Sequence, residues 1–475
     1  MSRRWWILTS ISLGTFVSVL NVNLVNVALP TISRVMDLEI SQVQWVVLVF
    51  SVTVAATLLI AGNLADLVGR KKVYSGGFLV LMLGSLVCGL APNFPVLLVG
   101  RFIQGLGAAM PMANGMAITT TTFPVEERGR ALGIVGSMVG VGSLTGPVLG
   151  GFLIDVLGWH WVFFINIPLG LLAFSTALAL LPQDSQSRQH EGFDGAGAFL
   201  FAVSMVLFLL ALSGVADRTT VSALTTAGVA VFGIFLWWEK NQEAPLLDLG
   251  LFKIPLFSTS LAAAFFAYLS MAALLILGPF YLEEVLGCSP SQVGFLMAPY
   301  PLLLTLVAPL SGWLSDHWGP VYLTTGGLLL NVFVLLSLGF LGSDTSYLDL
   351  ALRFALLGLG MGMFHSPNNS TLMGSVPFSK LGVAGGANAL VRNLGMLLGT
   401  TVVVLLFSSF QGRYLAGIEV PSRVQEIRAF LHGWQAAFTF AALAAALGAC
   451  FSGIRVRIFN RKEADEMKFK IVPDR

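Results

Sequence analysis

Charge is what this 475-residue chain lacks most. Asp, Glu, Lys and Arg make up 11% of it, against roughly 25% in soluble domains. So few charges cannot cover a water-facing surface, so a soluble fold is excluded and the surroundings must be mostly lipid. Cysteine is scarce too. Cys88, Cys288 and Cys450 are the only three, with no Cys-x-x-Cys spacing. That leaves neither a disulfide framework nor a zinc site, and the three read as small buried hydrophobes. No lysine follows a glycine, which removes a Walker-type phosphate loop and ATP-driven pumping with it. No His-Glu-x-x-His occurs, and the basic residues are too scattered for a nucleic-acid surface. The expectation is therefore a non-enzyme with no metal, cofactor, nucleotide or nucleic-acid partner.

What the chain does have is apolar runs. Hydrophobic residues make up 56% of it, and its mean hydropathy is +0.84. A spanning helix needs about 20 mostly apolar residues. Fourteen candidates meet this: 5–29, 43–65, 73–91, 95–122, 131–155, 160–182, 194–214, 219–238, 257–282, 291–314, 320–341, 347–374, 381–408 and 433–454. The first, from Trp5 to Leu29, is too long for a signal-peptide core and has no Ala-x-Ala site before Pro30, so it reads as a span.

Orientation follows from the basic residues, which concentrate on the cytoplasmic side. With both termini inside, the inner segments hold Arg3, Arg4, Arg70, Lys71, Lys72, Arg128, Arg130 and most of the others. The outer segments hold only Arg34, Arg218, Arg413, Arg423 and Arg428. Arg101, Arg353 and Arg392 lie within spans. Both termini are thus expected to be cytoplasmic.

The chain also repeats itself. Gly62-Asn-Leu-Ala-Asp66-Leu-Val-Gly69 returns 250 residues later as Gly312-Trp-Leu-Ser-Asp316-His-Trp-Gly319. Arg101-Phe102 with Gly105 and Gly107 is echoed by Arg353-Phe354 with Gly358, Gly360 and Gly362. Halves repeated in parallel are one transporter architecture. The expected domains are a six-helix bundle over 1–182, an inserted two-span linker over 183–256, and a second six-helix bundle with a cytoplasmic tail over 257–475.

These motifs carry a resemblance. Gly62-x-Leu-Ala-Asp66-x-x-Gly69-Arg70-Lys71-Lys72 resembles the signature loop between spans 2 and 3 of the major facilitator superfamily. Arg101-x-x-Gln104-Gly105-x-Gly107 is similar to its span-4 motif. Gly142-x-x-x-Gly146-Pro147-x-x-Gly150-Gly151 looks like the span-5 motif of its antiporters. Trp159-His-Trp161-x-Phe163-x-Ile165-Asn166 and Pro245-Leu-Leu-Asp248-Leu-x-Leu-Phe252 resemble segments of its fourteen-span drug:proton antiporter branch. The resemblance implies an all-α integral membrane fold in the plasma or bacterial inner membrane. Two six-helix bundles related by pseudo-two-fold symmetry would enclose a cavity that opens alternately to each side. The implied activity is export of hydrophobic or amphiphilic small molecules against an inward flow of protons.

Candidate residues follow. Asp66, with Gly69 and Arg70, and Asp316, with Gly319, are candidate conformational latches: an acid at a neighbouring helix N-terminus accepts hydrogen bonds that break when that side opens. Arg101 lies inside span 4, where charge is costly and turns inward. It is read either as a fixed charge in the cavity or as a clamp onto span-1 carbonyls, with Gln104 on the same face. Arg353 has Asp349 four residues before it, so a local ion pair is expected there. Gly142, Gly146, Pro147 and Gly150 allow close helix approach and are read as packing and as the seam on which the halves rock. The resembled branch carries an aspartate where Asn21 stands, so the usual titrating acid is replaced by an amide. Asn21, Asn26, Asn388 and Arg392 are candidate cavity residues. His365 is a candidate proton carrier. Asp155, Glu283 and Glu284 are acids on the outer rim. Loss of the span-1 acid also supports a translocator of lipids or amphiphiles. A membrane sensor or structural protein is the reading from another class.

Overall fold

The structure, a computed structural model, describes residues 3–182, 194–212, 218–242, 249–377, 380–416, 418 and 420–470; side chains at 59, 63, 66, 67, 125, 126, 128–130, 132, 133, 209, 212, 218, 316, 381, 382 and 457–470 lie outside that description. Fourteen long helices carry the fold: α1 (Arg3–Val35), α2 (Trp45–Val68), α3 (Arg70–Gly89), α4 (Phe94–Thr122), α5 (Val125–Leu157), α6 (Asn166–Leu180), α7 (Gly195–Leu212), α8 (Arg218–Lys240), α9 (Pro255–Phe280), α10 (Pro299–Trp318), α11 (Pro320–Gly339), α12 (Tyr347–Gly374), α13 (Leu381–Leu415) and α14 (Arg423–Lys470). Among the described residues thirteen segments are long and apolar enough to cross a membrane. The expected fourteenth corresponds to α7, whose described apolar stretch, Gly195–Phe208, is shorter.

Helix is the only backbone arrangement an open chain can adopt in lipid, because every N–H and C=O must be satisfied within the segment. The turns between helices need different chemistry. Gly69 and Gly319 join α2 to α3 and α10 to α11 at φ 108° and 83°. A side chain is strained in that region, which is why both copies of the repeated motif end in glycine.

The repeat is visible in the packing. In the first half α1 packs on α5 and α6, α2 on α4, and α3 on α4 and α6. In the second half α9 packs on α13 and α14, α10 on α12, and α11 on α12 and α14. Adding eight to each number of the first set gives the second. The inserted helices α7 and α8 pack on each other, and α7 lies against α2. Asp194 ties them together, accepting hydrogen bonds from Gly197 N and Trp238 Nε1 at 2.8 Å each. Phe201, Met205 and Phe235 cluster with Ala55 of α2 and Leu390 of α13. The pair therefore covers a seam between the halves.

Backbone-to-backbone approach builds each bundle. A Cβ at Gly107 of α4 would fall on Leu81 N and Gly77 O of α3, and one at Gly84 of α3 on Gln104 N and Gly100 O of α4. In the second half a Cβ at Gly327 of α11 would fall on Gly360 O of α12.

Candidate functional site

A buried polar knot lies inside the first half. Arg101 donates from Nε to Val46 O and from a terminal nitrogen to Gln104 Oε1, each at 2.7 Å. Its guanidinium lies 4.3 Å from the Phe50 ring centre. Gln104 Nε2 donates to Ser85 Oγ at 2.7 Å and to Asn21 Oδ1 at 3.5 Å. Asn166 Nδ2 donates to the same Asn21 oxygen at 3.1 Å. Asn21, Ser85, Arg101, Gln104 and Asn166 are all buried. The clamp expected of Arg101 thus exists, but it grips α2 rather than span 1. Helix side chains lean toward the N-terminus of their own helix, and that carries the guanidinium of α4 to the first turn of α2. Among the described residues Asn21 Nδ2 and Asn166 Oδ1 find no partner. Asn26 is also buried, with Oδ1 unpartnered.

The second half carries a more open cluster. Asn388 Nδ2 on α13 donates to Asn369 Oδ1 on α12 at 3.0 Å. The His365 ring, one turn before Asn369, sits edge-on to Tyr268 of α9 at 6.3 Å. Arg392 of α13 is an electrostatic neighbour of Tyr268. All five side chains are half-buried. Tyr268 was not legible as a site residue, since a lone aromatic in an apolar run reads as packing. Arg353 makes the expected local pair, with Asp349 at 2.8 Å.

The third assembly fastens the two halves at the end of the molecule away from the Gly69 and Gly319 turns. Arg34, at the close of α1, pairs with Glu283 at 2.6 Å. Glu283 lies on a π-turn (Tyr281–Val285) that continues α9. Asp155 Oδ2, near the end of α5, accepts from Ser291 N at 2.9 Å. Ser291 begins the short helix Pro290–Met297 that leads into α10. A solvated rim was expected for these acids. Asp155 is exposed, as a rim acid would be, and it caps a helix of the opposite half, where the dipole favours negative charge; the Glu283 side chain, by contrast, is only 2% exposed. Glu284 lines a cavity of about 640 Å³ beside Arg34, Glu283 and Arg423, and its carbonyl accepts from Arg423 at 2.5 Å. Arg34 was read only as an outer charge. Its position on the side where basic residues are depleted was the available signal.

The profile of the Major Facilitator Superfamily matches residues 11–400. The chain belongs to the major facilitator superfamily. It is similar to the riboflavin transporter RibZ of Clostridioides difficile (strain 630), with 35% identity over 86% of this chain and 89% of RibZ. It is also similar to the multidrug resistance protein Stp of Mycobacterium tuberculosis, with 33% identity over 83% of this chain and 74% of Stp. Among solved structures, a bacterial homologue of the human lysosomal transporter Spinster superposes with a TM-score of 0.71 at 18% identity, over 97% of this chain and 98% of that one. The chain is accordingly an integral membrane, secondary transporter of alternating-access type.

For a facilitator, the decisive surface is where the halves meet. The stripe Gly142, Gly146 and Gly150 was expected to form it, but those glycines face Phe16 O, Asn23 and Leu24 of α1, within the same half. The cross-half stripe lies beside it. A Cβ at Gly140 would fall on Thr305 and one at Gly151 on Pro290 O, while Pro147 O faces Gly294. Positions 140, 147 and 151 share one helix face because seven and four residues are near whole turns. Pro147 belongs to this facilitator seam, as read. Of the latch residues, Gly69 and Gly319 hold their turns, and the backbones of Asp66 and Asp316 end α2 and α10. The side chains of Asp66 and Asp316 lie outside the described residues.

Proposed function

We propose that this facilitator exports hydrophobic or amphiphilic small molecules across the cell membrane, with both termini cytoplasmic, in exchange for protons. The observation that carries the reading is the seal across the halves at one end. The end bearing Arg34 and Glu283 is sealed by two polar fasteners and by glycine contacts that admit no Cβ. That is one of the two closed states an exporter must alternate between. Relatives named for multidrug resistance and for riboflavin transport support a small-molecule cargo. The fourteen-helix count and the inserted pair α7–α8 support the drug:proton antiporter branch and the division at 1–182, 183–256 and 257–475.

Flux in proteoliposomes under an imposed pH gradient, with a fluorescent amphiphile and interior pH read together, tests this. Opposed movement of dye and protons is expected; dye movement with no proton movement removes antiport. Asp66 and Asp316 are assigned to latches that close the cytoplasmic side. The Asp66→Asn variant is expected to lose at least tenfold in flux at normal expression, and full flux in it would sink the latch. His365 and Glu283 are the groups assigned to carry protons in place of the missing span-1 acid.

A second reading, translocation of lipid or long-chain amphiphile without a proton site, is favoured by one observation. Asn21 cannot titrate, and it is sealed beneath Gln104 and Asn166.

A further inference from the structure

We propose that the half-buried cluster on α9, α12 and α13 is the cargo's head-group site, and that Arg392 makes it select anionic amphiphiles over cationic ones. The inference rests on the transport reading above and names its substrate class.

Placement comes first. Gly385, Asn388 and Arg392 stand at i, i+3 and i+7, one stripe of α13. A Cβ at Gly385 would lie 3.0 Å from Met116 Sδ, on α4 of the opposite half, and 3.6 Å from Met373 of α12. The stripe therefore looks into the space between the halves. His365, Asn369 and Met373 stand at i, i+4 and i+8 on α12 and face it, joined by the Asn388–Asn369 bond of 3.0 Å. Counting 1.5 Å per residue from the Gly69–Gly319 end, Arg392 lies about 16 Å in, His365 about 14 Å and Tyr268 about 20 Å. They share one level near mid-depth.

Charge decides the class. No Asp or Glu stands more than a turn inside either end of any of the thirteen spans. Among the described residues no carboxylate lies within ion-pair distance of Arg392. Arginine presents a planar cationic fork whose donors match a carboxylate. Tyr268 is the electrostatic neighbour of Arg392, and the planar guanidinium fork is available to a ligand. A carboxylate or other anionic head entering here gains charge-assisted, paired hydrogen bonds in low dielectric. A cationic head meets a like charge and no acid. Met116, Met373 and the Tyr268 ring supply adaptable apolar walls for the rest of the molecule. The first half offers no rival, because Arg101 is sealed and both Val46 O and Gln104 hold it.

A matched series tests this: pyrenebutyrate, pyrenebutanol and pyrenebutyltrimethylammonium. Binding to the purified full-length protein is read by pyrene fluorescence, and flux is read separately in proteoliposomes. Wild type is expected to bind the anion at least tenfold more tightly than the cation. Arg392→Gln should remove that ratio while leaving the neutral alcohol within about threefold, and Arg392→Lys should keep part of it. Should Arg392→Gln fold poorly, Asn388→Asp gives an independent reading: a carboxylate one turn from Arg392 should neutralise it and abolish the preference. Cation binding equal to or tighter than anion binding, or an unchanged ratio in both variants, overturns the proposal. Saturable, Arg392-dependent anion binding without flux would support the site and sink the transport reading. Flux with a cation preference would keep transport and overturn the site.

Discussion

A disulfide between residues 155 and 291 is expected to stop transport completely and to release it on reduction. Asp155 Oδ2 lies 2.9 Å from Ser291 N, and one turn away a Cβ at Gly151 would lie 3.0 Å from Ser291 Cα, the close backbone approach a disulfide needs. One residue belongs to α5 and the other leads into α10, so the bond would join the halves at their sealed end. In an Asp155→Cys/Ser291→Cys protein with Cys288 and Cys450 changed to Ser, oxidation should reduce flux at least a hundredfold. Reductant should restore the level of the unoxidised double variant, and each single-Cys protein should ignore the oxidant. Full flux in the cross-linked protein would mean that this end never opens, and alternating access across it would be abandoned.

The effect should be that large because the natural seal is weak by design. A carboxylate capping a helix N-terminus contributes about 0.3–1 kcal/mol, up to about 2 where partly buried. The Arg34–Glu283 pair has its arginine 63% exposed, and exposed pairs contribute about 0–1 kcal/mol. A seal of a few kcal/mol is what cargo or protons can open, since moving a two-state balance from 1:99 to 99:1 takes about 5.5 kcal/mol. A covalent bond takes the seal far outside that range. The chemistry expected at Asp66, an acid on a neighbouring helix N-terminus, is thus found at the opposite end in Asp155.

How legible the molecule was depended on the kind of signal. The all-helical class and the repeated helix order could be read because hydropathy and the Gly69 and Gly319 turns are local properties of the chain. Small-residue spacing revealed that α5 packs closely, but not against what. Gly142, Gly146 and Gly150 turned to α1, Gly140 and Gly151 turned to the other half, and Gly136 has nothing near it among the described residues. A period of four marks a face, and only the tertiary arrangement says which neighbour the face meets. Likewise Arg101 had to find a carbonyl, yet its choice of Val46 depends on which helix begins beside it. The fasteners at Arg34 and Asp155 join residues separated by 249 and 136 positions, and nothing in the local sequence links such pairs.

Gly107→Leu is expected to cost this protein its stable fold, while Gly136→Leu leaves it intact. Both are glycines within apolar helices, and sequence alone does not tell them apart. At Gly107 the obstacle to a side chain is Leu81 N and Gly77 O, which are backbone atoms that no rotamer change moves aside. At Gly136 nothing among the described residues lies within 4 Å of the added carbon. Overpacking costs typically about 1–3 kcal/mol where side chains can yield, and a backbone obstacle forces the helices themselves apart. Separating α3 from α4 would also stretch the Ser85–Gln104 bond of 2.7 Å. That would free the acceptor that holds Arg101 and leave a buried cation short of a partner, itself a severe penalty. Even Gly107→Ala should lower the unfolding midpoint in detergent by several degrees, and Gly107→Leu should give little monodisperse protein. A Gly107→Leu protein as stable as Gly136→Leu would show that α3 and α4 are not held backbone to backbone. The Arg101 knot would then need another support.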